Sequence, residues 1–148
     1  MRYMLDTNIF LFMVGDRSRL SRQVEDIVLD MDDSLCLSIE SVREIIIKQR
    51  EKDFEGKRWP SADALIHDIR DIFGIDILPT DLNVMRTLFS LRINTFQDHR
   101  DPFDHLIISH AITCKMPLIS ADHKFPFYRQ QGLVLVEKRE CTIAIWDM

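Results

Sequence analysis

The chain has 148 residues, 46% of them hydrophobic, which suffices for a single domain, 1–148, with its own apolar core. Its formal net charge of -5 argues against a passive binder of nucleic acid, because such proteins hold phosphates with a surplus of lysine and arginine. The longest apolar run, 9–14, is too short to cross a membrane. An aspartate at position 6 argues against the apolar core that a secretory signal requires, so we expect a cytoplasmic protein.

Short apolar segments alternate with segments of helical periodicity along the chain. Strands are predicted over 2–5, 34–38, 75–78, 117–120 and 133–136, and 141–146 is a candidate edge strand. Helices are predicted over 9–14, 20–31, 40–53, 61–73 and 82–91, with a last one beginning at Pro102. Apolar strands separated by helices are typical of a mostly parallel sheet covered on both faces. We therefore expect a three-layer α/β fold with four to five strands.

Two aspartates come directly after predicted strands. Asp6 follows the first strand, and Asp122 follows the strand 117–120. In a doubly wound sheet, functional groups collect beyond the carboxyl ends of the strands. Taken singly, each aspartate is better explained as a turn former or a helix N-cap, so its position alone does not assign it a role.

Two further acids open the last predicted helix, in the segment HRDPFDHLIISHA. Asp101 precedes a proline, as an N-cap does, and this interpretation stands beside a metal-binding one. Asp104 lies three residues later on the same face and heads an apolar stripe at 107, 108, 111 and 112. Because a carboxylate on a core-facing stripe is costly unless it is paired or binds a metal, we favour a functional role for Asp104.

Glu44 lies one turn into the helix predicted over 40–53. The spacing from Ser41 to Glu44 fits a capping box, in which the carboxylate accepts a hydrogen bond from a backbone N–H. Glu44 also lies off the apolar stripe of that helix. The pattern alone therefore leaves a structural and a functional interpretation equally open.

The acids together have the chemistry of a divalent-metal site. Mg²⁺ and Mn²⁺ take hard oxygen ligands and keep positions open for water and phosphate. Several carboxylates from distant parts of a chain are the usual protein share of a metal-assisted phosphodiester hydrolysis. Their mutual repulsion also favours binding of a cation.

Other motifs are weaker. The five histidines form no H-x-x-x-H pair and are expected to be mostly surface or capping residues, which argues against a zinc site. Neither a glycine-rich phosphate loop nor a G-x-S-x-G elbow is present. The basic segment 48–58 is interspersed with acids, which favours a solvated helix face over a track for RNA.

Four motifs follow one another along the chain: LDTN, the SxxE of 41–44, HRDPFD with IISHA after it, and ISADHKF. In order and spacing they resemble the PIN domains of VapC-type toxins, and the resemblance covers residues 2–136. It implies a PIN-like fold. It also implies a catalytic metal site at Asp6, Glu44, Asp104 and Asp122, with Asp101 as a neighbouring acid and Thr7, Asn8 and Ser120 as supporting polar groups.

The sequence departs from the family pattern at two positions. His105 follows the last aspartate of HRDPFD, where the family often has arginine, and Arg43 stands where a tryptophan often precedes the glutamate. Neither change removes a residue of the implied metal site. We expect both to bear on substrate choice or on the contact with a partner.

The resemblance implies an Mg²⁺- or Mn²⁺-dependent endoribonuclease that is the toxin of a toxin–antitoxin pair, is restrained by an antitoxin protein and forms a homodimer. RNA, rather than DNA, follows from the resemblance alone. A housekeeping or repair nuclease of the same fold remains an alternative. A phosphoacceptor signalling module is a third hypothesis, disfavoured because Met4 and Leu5 stand where such modules carry an acid beside the aspartate of the first strand.

Overall fold

The computed structural model describes residues 1–54 and 57–137, so the candidate strand 141–146 lies outside the described residues. The strands are β1 (Arg2–Leu5), β2 (Ser34–Ser38), β3 (Asp76–Leu78), β4 (Leu118–Ser120) and β5 (Leu135–Glu137). The helices are α1 (Thr7–Val14), α2 (Arg22–Leu29), α3 (Ile39–Lys48), α4 (Ala62–His67), α5 (Leu82–Ser90) and α6 (Pro102–Cys114). A π-helical turn, Asp68–Ile72, extends α4, and short 3₁₀ turns cover Arg17–Arg19 and Pro126–Gln131.

The five strands form one parallel sheet in the order β3-β2-β1-β4-β5. β1 is central, and its Met4 lies beside Cys36 of β2 and Leu118 of β4. The chain proceeds from β1 toward one edge and later returns to build the other edge from β4. The strand order therefore reverses between β1 and β4, where a parallel sheet opens a crevice at its carboxyl end.

Alternate residues of the strands pack into two separate apolar clusters. Leu5 and Leu37 face the layer that includes α1 and α3, whereas Met4 and Leu118 face the layer that includes α6. Successive side chains of a strand point to opposite faces, so both faces of this sheet are covered by helices. The predicted three-layer α/β fold is confirmed.

Very short connections at the carboxyl edge of the sheet place polar residues there. One residue, Asp6, separates β1 from α1, and its carboxylate accepts a hydrogen bond from the backbone N–H of Thr7. No residue separates β2 from α3, and Ser38 caps α3 by accepting from the N–H of Glu40. Each cap satisfies a backbone donor that the first helical turn leaves unpaired.

Two helices end earlier than their sequence pattern predicts. α3 stops at Lys48 instead of continuing to residue 53, because 49–53 offers no apolar side chain to the core and continued helix would bury nothing. α2 stops at Leu29, and Met31 lies outside it with 98% of its surface exposed, because the acids of 30–33 form a turn that leads into β2. Within 1–54 and 57–137, no helix has the length and apolar character needed to cross a membrane.

Candidate metal centre

Carboxylates from separate parts of the chain meet at the crevice between β1 and β4. Asp6 follows β1, Asp122 follows β4, Glu44 projects from α3 and Asp104 from the first turn of α6. Oxygen atoms of Glu44, Asp101 and Asp104 lie within 4.8 Å of one another, and Asp104 is also within 4.8 Å of Asp122 and of His99. These acids therefore form two overlapping groups that share Asp104, while Asp6 belongs to neither group but lies close enough for its charge to interact with Asp104 and Glu44.

Asp6 is the most deeply buried member of the acid cluster. Its Oδ1 accepts from the Thr7 N–H at 2.8 Å, and its Oδ2 accepts from the Ser120 hydroxyl at 2.8 Å. Burial, together with the charge of Asp104, raises the pKa of Asp6 to about 8 from its ordinary 3.8. A cation beside this carboxyl group would oppose the rise, because an opposite charge favours the ionised form.

Ser120 connects the acids that follow the two strands. Its oxygen accepts a hydrogen bond from the backbone N–H of Asp122 at 3.1 Å, and its hydroxyl group donates one to Asp6. Thr7, the second predicted supporting residue, donates its hydroxyl to the buried Ser41 at 2.9 Å and so ties α1 to α3. Asn8, the third, is exposed on the first turn of α1, where it lines a cavity of about 290 Å³ beside the acids.

Glu44 is not part of a capping box, so the structural interpretation of its position is wrong. β2 leads into α3 three residues earlier than that interpretation requires, and Ser38 rather than Ser41 is the N-cap. Glu44 instead lies buried in the second turn and directs its carboxylate to the cluster. Burial raises the pKa of Glu44, and the Lys48 ammonium and the nearby Thr7 hydroxyl oppose this rise. Because the Thr7 hydroxyl donates to Ser41, the buried Oε1 of Glu44 has no hydrogen-bond donor in the described part of the chain.

Asp104 heads the buried stripe of α6, as its spacing predicts, since Ile107, Ile108 and Ala111 are all enclosed in the core. Its Oδ2 lies 2.9 Å from Nε2 of His99. Burial raises the pKa of Asp104, and the hydrogen bond with His99 lowers it. The cost of a buried carboxylate is thus partly offset by a paired histidine.

The expectation that the histidines are mostly surface or capping residues is wrong for two of them. His99 and His110 are both buried, with 2% and 1% of their surface exposed. His110 lies on the core side of α6, one turn from Ile107, and this spacing was a readable signal. His99 lies in an irregular segment before α6, where no periodicity predicts which side chains are buried.

Lys48 supplies a positive charge inside the acid cluster. Its ammonium forms a short ion pair with Glu44 and lies 3.4 Å from Oδ2 of Asp101. Burial alone would lower the pKa of Lys48, but the hydrogen bond and charge of Glu44 raise it. The prediction of a solvated face for 48–58 is therefore wrong at its first residue, although the i,i+4 spacing of Glu44 and Lys48 was a signal for this pair.

Asp101 combines the two roles left open by its sequence position. Its Oδ1 accepts from the Phe103 N–H at 2.9 Å, which makes it the N-cap of α6, while Oδ2 faces Lys48. We expect Asp101→Ala to lower the free energy of unfolding by about 1 kcal/mol through the lost cap. Asp101→Asn keeps an oxygen in place and should leave it nearly unchanged. Chemical denaturation in chelator checks this, and equal losses in the two variants would contradict the capping role.

The two residues that depart from the family pattern lie at the border of the cluster. His105 donates from Nε2 to the backbone carbonyl of His99 at 2.9 Å and packs edge-on against that ring. Arg43 is mostly exposed and pairs with the buried Glu40 at 3.5 Å. The aromatic residue that the family often has at this position is thus replaced by a surface charge.

The donor set fits a small, hard divalent cation. All the converging acids offer oxygen atoms, which such ions prefer. One buried oxygen, Oε1 of Glu44, has no hydrogen-bond donor among the described residues, and burial and the neighbouring charge of Asp104 raise the pKa of Asp6. Unpaired buried carboxylate oxygens are costly, and a cation at this position would relieve that cost.

Residues 3–131 match the model of the PIN domain, and the chain belongs to this family, whose members are nucleases. No curated protein matches the chain in sequence. The fold is similar to VapBC2 from Rickettsia felis bound to a DNA fragment from its promoter, at 20% identity over 94% of this chain and 100% of that one, with a TM-score of 0.65.

Two further solved structures share the fold. VapBC-1 from nontypeable Haemophilus influenzae is 20% identical over 95% of this chain and 100% of its own, with a TM-score of 0.66. VapBC-5 from Mycobacterium tuberculosis, a member of the VapBC family of toxin-antitoxin systems, is 16% identical over 94% and 98%, with a TM-score of 0.54. At these identities the likeness is one of fold.

Proposed function

We propose that this protein is a metal-dependent endoribonuclease and the toxin of a toxin–antitoxin pair. The observation that carries the proposal is the grouping of Glu44, Asp104 and Asp122 beside the buried Asp6 at the sheet crevice, with no hydrogen-bond donor among the described residues to Oε1 of Glu44. The family supports hydrolysis of nucleic acid. RNA as substrate rests on the resemblance of the four sequence motifs to VapC-type toxins.

Asp6, Glu44, Asp104 and Asp122 would hold Mg²⁺ or Mn²⁺, with Asp101 at one side. When bound, such an ion provides a water-derived nucleophile at neutral pH and stabilises charge on the leaving oxygen. The protein's own residues set the geometry. Ser120 donates to Oδ2 of Asp6, and the Thr7 N–H donates to Oδ1. These two hydrogen bonds fix the orientation of the carboxylate before a cation binds.

The neighbouring cavity supplies cations for a phosphate backbone. It is lined by Arg19, Lys48 and Lys52 together with the acids Glu44 and Asp53, and Lys48 is itself paired with Glu44 and Asp101. An acidic protein that binds RNA needs local positive charge, and these side chains provide it where the strand would approach the acids.

Growth of a bacterial host tests the toxin role. Induced expression of the unaltered chain should stop growth, whereas Asp104→Asn, expressed to the same level, should not. Co-expression of a small partner protein encoded beside the chain should restore growth. Normal growth on expression of the unaltered chain, with cleavage of RNA by the purified protein, would favour a housekeeping nuclease.

The proposed antitoxin is expected to compete with the metal. We propose that its tail presents a basic side chain to the acid cluster, the position that Lys48 occupies in this chain. Inhibition should then weaken as Mg²⁺ is raised, because both cations need the same carboxylates. Titration of inhibition at several Mg²⁺ concentrations measures this. Inhibition that is independent of metal, and survives removal of the partner's basic residues, would locate the contact elsewhere.

The proposed homodimer needs an apolar surface, and 9–14, the longest apolar run of the sequence, does not provide it. The helix around 9–14 packs inside one chain, because Ile9, Phe10 and Met13 are buried in the core. α5 instead presents Leu82 and Phe89, with 72% and 94% of their surfaces exposed. Exposed apolar faces of this kind mark interaction sites.

We expect light scattering at micromolar concentration to give the mass of two chains. Phe89→Glu should give one chain, because it places a charge on the exposed apolar face of α5. Phe96→Glu is the matched control, since Phe96 is 90% exposed but lies outside α5. A monomeric mass of the unaltered protein at all concentrations would refute the dimer.

A further inference from the structure

His99 is a buried histidine that links the acid cluster to the core and has no part in the function proposed above. Its Nε2 lies 2.9 Å from Oδ2 of Asp104. Its Nδ1 lies 2.8 Å from the phenol oxygen of Tyr128. That oxygen in turn lies 3.0 Å from the backbone nitrogen of Asn94. Three hydrogen bonds therefore connect a backbone amide to a carboxylate of the cluster.

The direction of the three bonds follows from the first donor. The backbone N–H of Asn94 can only donate, so the Tyr128 oxygen accepts there and has its own proton left to give. Nδ1 of His99 takes that proton as an acceptor. A neutral imidazole carries one proton, which must then lie on Nε2 and be donated to Asp104.

The alternative tautomer of His99, with its proton on Nδ1, would leave one buried hydrogen-bond donor without an acceptor. A proton on Nδ1 of His99 would be donated to the Tyr128 oxygen, which already accepts from Asn94. The phenol proton would then need another acceptor, and within 1–54 and 57–137 no further hydrogen bond of this hydroxyl occurs. Tyr128 is fully buried, so leaving its proton unpaired would be costly.

Packing fixes the orientation of the imidazole ring. His99 lies against the rings of Phe125, Tyr128 and His105, with centroid distances of 5.6, 5.5 and 4.9 Å. The His105 side chain also holds the backbone carbonyl of His99. The Nε2 proton is therefore held in a constant direction toward Asp104.

We propose that His99 is a positioning residue. Its Nε2 proton orients the Asp104 carboxylate for a divalent cation, and Nε2 itself is not a ligand of that cation. The inference rests on the proposed metal function. It also decides a choice that distance leaves open, since Nε2 of His99 lies within 4.8 Å of oxygens of both Asp104 and Asp122 and so has the position of a ligand. Ligation through Nε2 would require the proton to move to Nδ1, and Nδ1 would then donate to the Tyr128 oxygen. That oxygen already accepts from the backbone N–H of Asn94, which cannot act as an acceptor, so the phenol proton would be left unpaired.

The proton position is measurable without any metal. Two-bond proton–nitrogen correlation spectra of the ¹⁵N-labelled full chain should show a protonated, pyrrole-type Nε2 and a pyridine-type Nδ1 for His99. Tyr128→Phe removes the phenol donor, so the Nδ1 resonance should move downfield as it loses its hydrogen bond, while Nε2 stays protonated through its bond to Asp104. A proton on Nδ1 in the unaltered protein at neutral pH would overturn the proposal.

The effect on the metal is measured by Mn²⁺ binding to matched variants. The amide nitrogen of His99→Gln reaches the position of Nε2, whereas that of His99→Asn reaches only the position of Nδ1. Loss of an outer hydrogen bond to a ligand weakens metal binding by about 10- to 100-fold, and we expect that loss for His99→Asn and most of the affinity retained by His99→Gln. Equal affinities of all three proteins would overturn the proposal.

Electron spin echo spectra of the Mn²⁺-loaded, unaltered protein distinguish positioning from ligation. We expect no ¹⁴N coupling from a directly bound imidazole, and such coupling would overturn the proposal. If the unaltered protein binds no Mn²⁺, the proposed function and the orienting role both fall. The nitrogen correlation spectra then test the hydrogen-bond argument on its own. A proton on Nε2 would show that the chain from Asn94 to Asp104 is correctly assigned and that only the proposed metal function is wrong.

Discussion

Asp6→Asn is expected to lower RNA cleavage by about 1,000-fold or more, since a metal site supplies several kcal/mol of transition-state stabilisation. The same change should make the protein more stable in chelator at pH 8. Asparagine keeps the shape and accepts from the Thr7 N–H, but removes a buried charge repelled by Asp104 and Glu44. Cleavage assays and thermal melts of the same samples check both effects.

The gain in stability should depend on pH with a defined sign. The pKa of Asp6 is about 8 in the fold against an ordinary 3.8, so between these values the metal-free fold binds more protons than the unfolded chain. Its stability therefore falls as pH rises through this window. The Asn variant has no titrating group here, so its advantage should grow by about 1.4 kcal/mol per pH unit, on the order of 4 kcal/mol between pH 5 and pH 8.

Asp26→Asn is the matched control for this pH effect, because Asp26 lies on the exposed side of α2, away from the cluster. It should leave cleavage and the pH dependence of the melting temperature unchanged. If Asp6→Asn instead lowers the melting temperature at all pH values, the carboxylate stabilises the metal-free fold and is not a strained ligand.

Lys48→Met is expected to lower the free energy of unfolding of the metal-free protein and to raise its affinity for the metal. The ammonium group neutralises Glu44 and Asp101, and without it the buried Glu44 carboxylate loses its counter-charge. We expect a loss of about 1–2 kcal/mol in chelator, less than for a fully buried pair because Lys48 is 38% exposed. Since Mn²⁺ then displaces no ammonium, its affinity should rise by about 10-fold, which corresponds to about 1.4 kcal/mol.

Calorimetric titration with Mn²⁺ and melts with and without chelator measure these changes. Lys52→Met is the control, because it removes the same charge from the same cavity but leaves the ion pair between Lys48 and Glu44 in place. It should not change stability in chelator and should weaken RNA binding. A Lys48→Met protein that binds Mn²⁺ more weakly would show that the lysine assists the site and does not compete with the cation.

The fold was largely predictable because its signals are local. β1 and β2 have the predicted bounds, since each is a short apolar run bounded by residues that cap helices. Asp104 was predictable for the same reason, because helical spacing alone places it at the head of a buried stripe. Helix ends were predicted less well, as α3 shows, because the end depends on what the core leaves to be buried.

The rest of the site depends on contacts that sequence spacing does not encode. Glu44 became a member of the cluster because β2 runs into α3 without a loop, which shifts the N-cap to Ser38. His99 is buried by rings from a segment about 30 residues later, Phe125 and Tyr128. Such packing arises only when α6 and the turn Pro126–Gln131 come together on the same face of the sheet.

The most direct test of the metal-dependent nuclease is cleavage of a mixed RNA by the purified chain. We predict cleavage with Mg²⁺ or Mn²⁺, none in chelator, recovery when metal is restored, and none by Asp6→Asn or Asp104→Asn. A DNA of the same sequence, included in every reaction, should remain intact. Cleavage of RNA that persists in chelator, or in both variants, would contradict the account and show that the clustered carboxylates serve the fold alone.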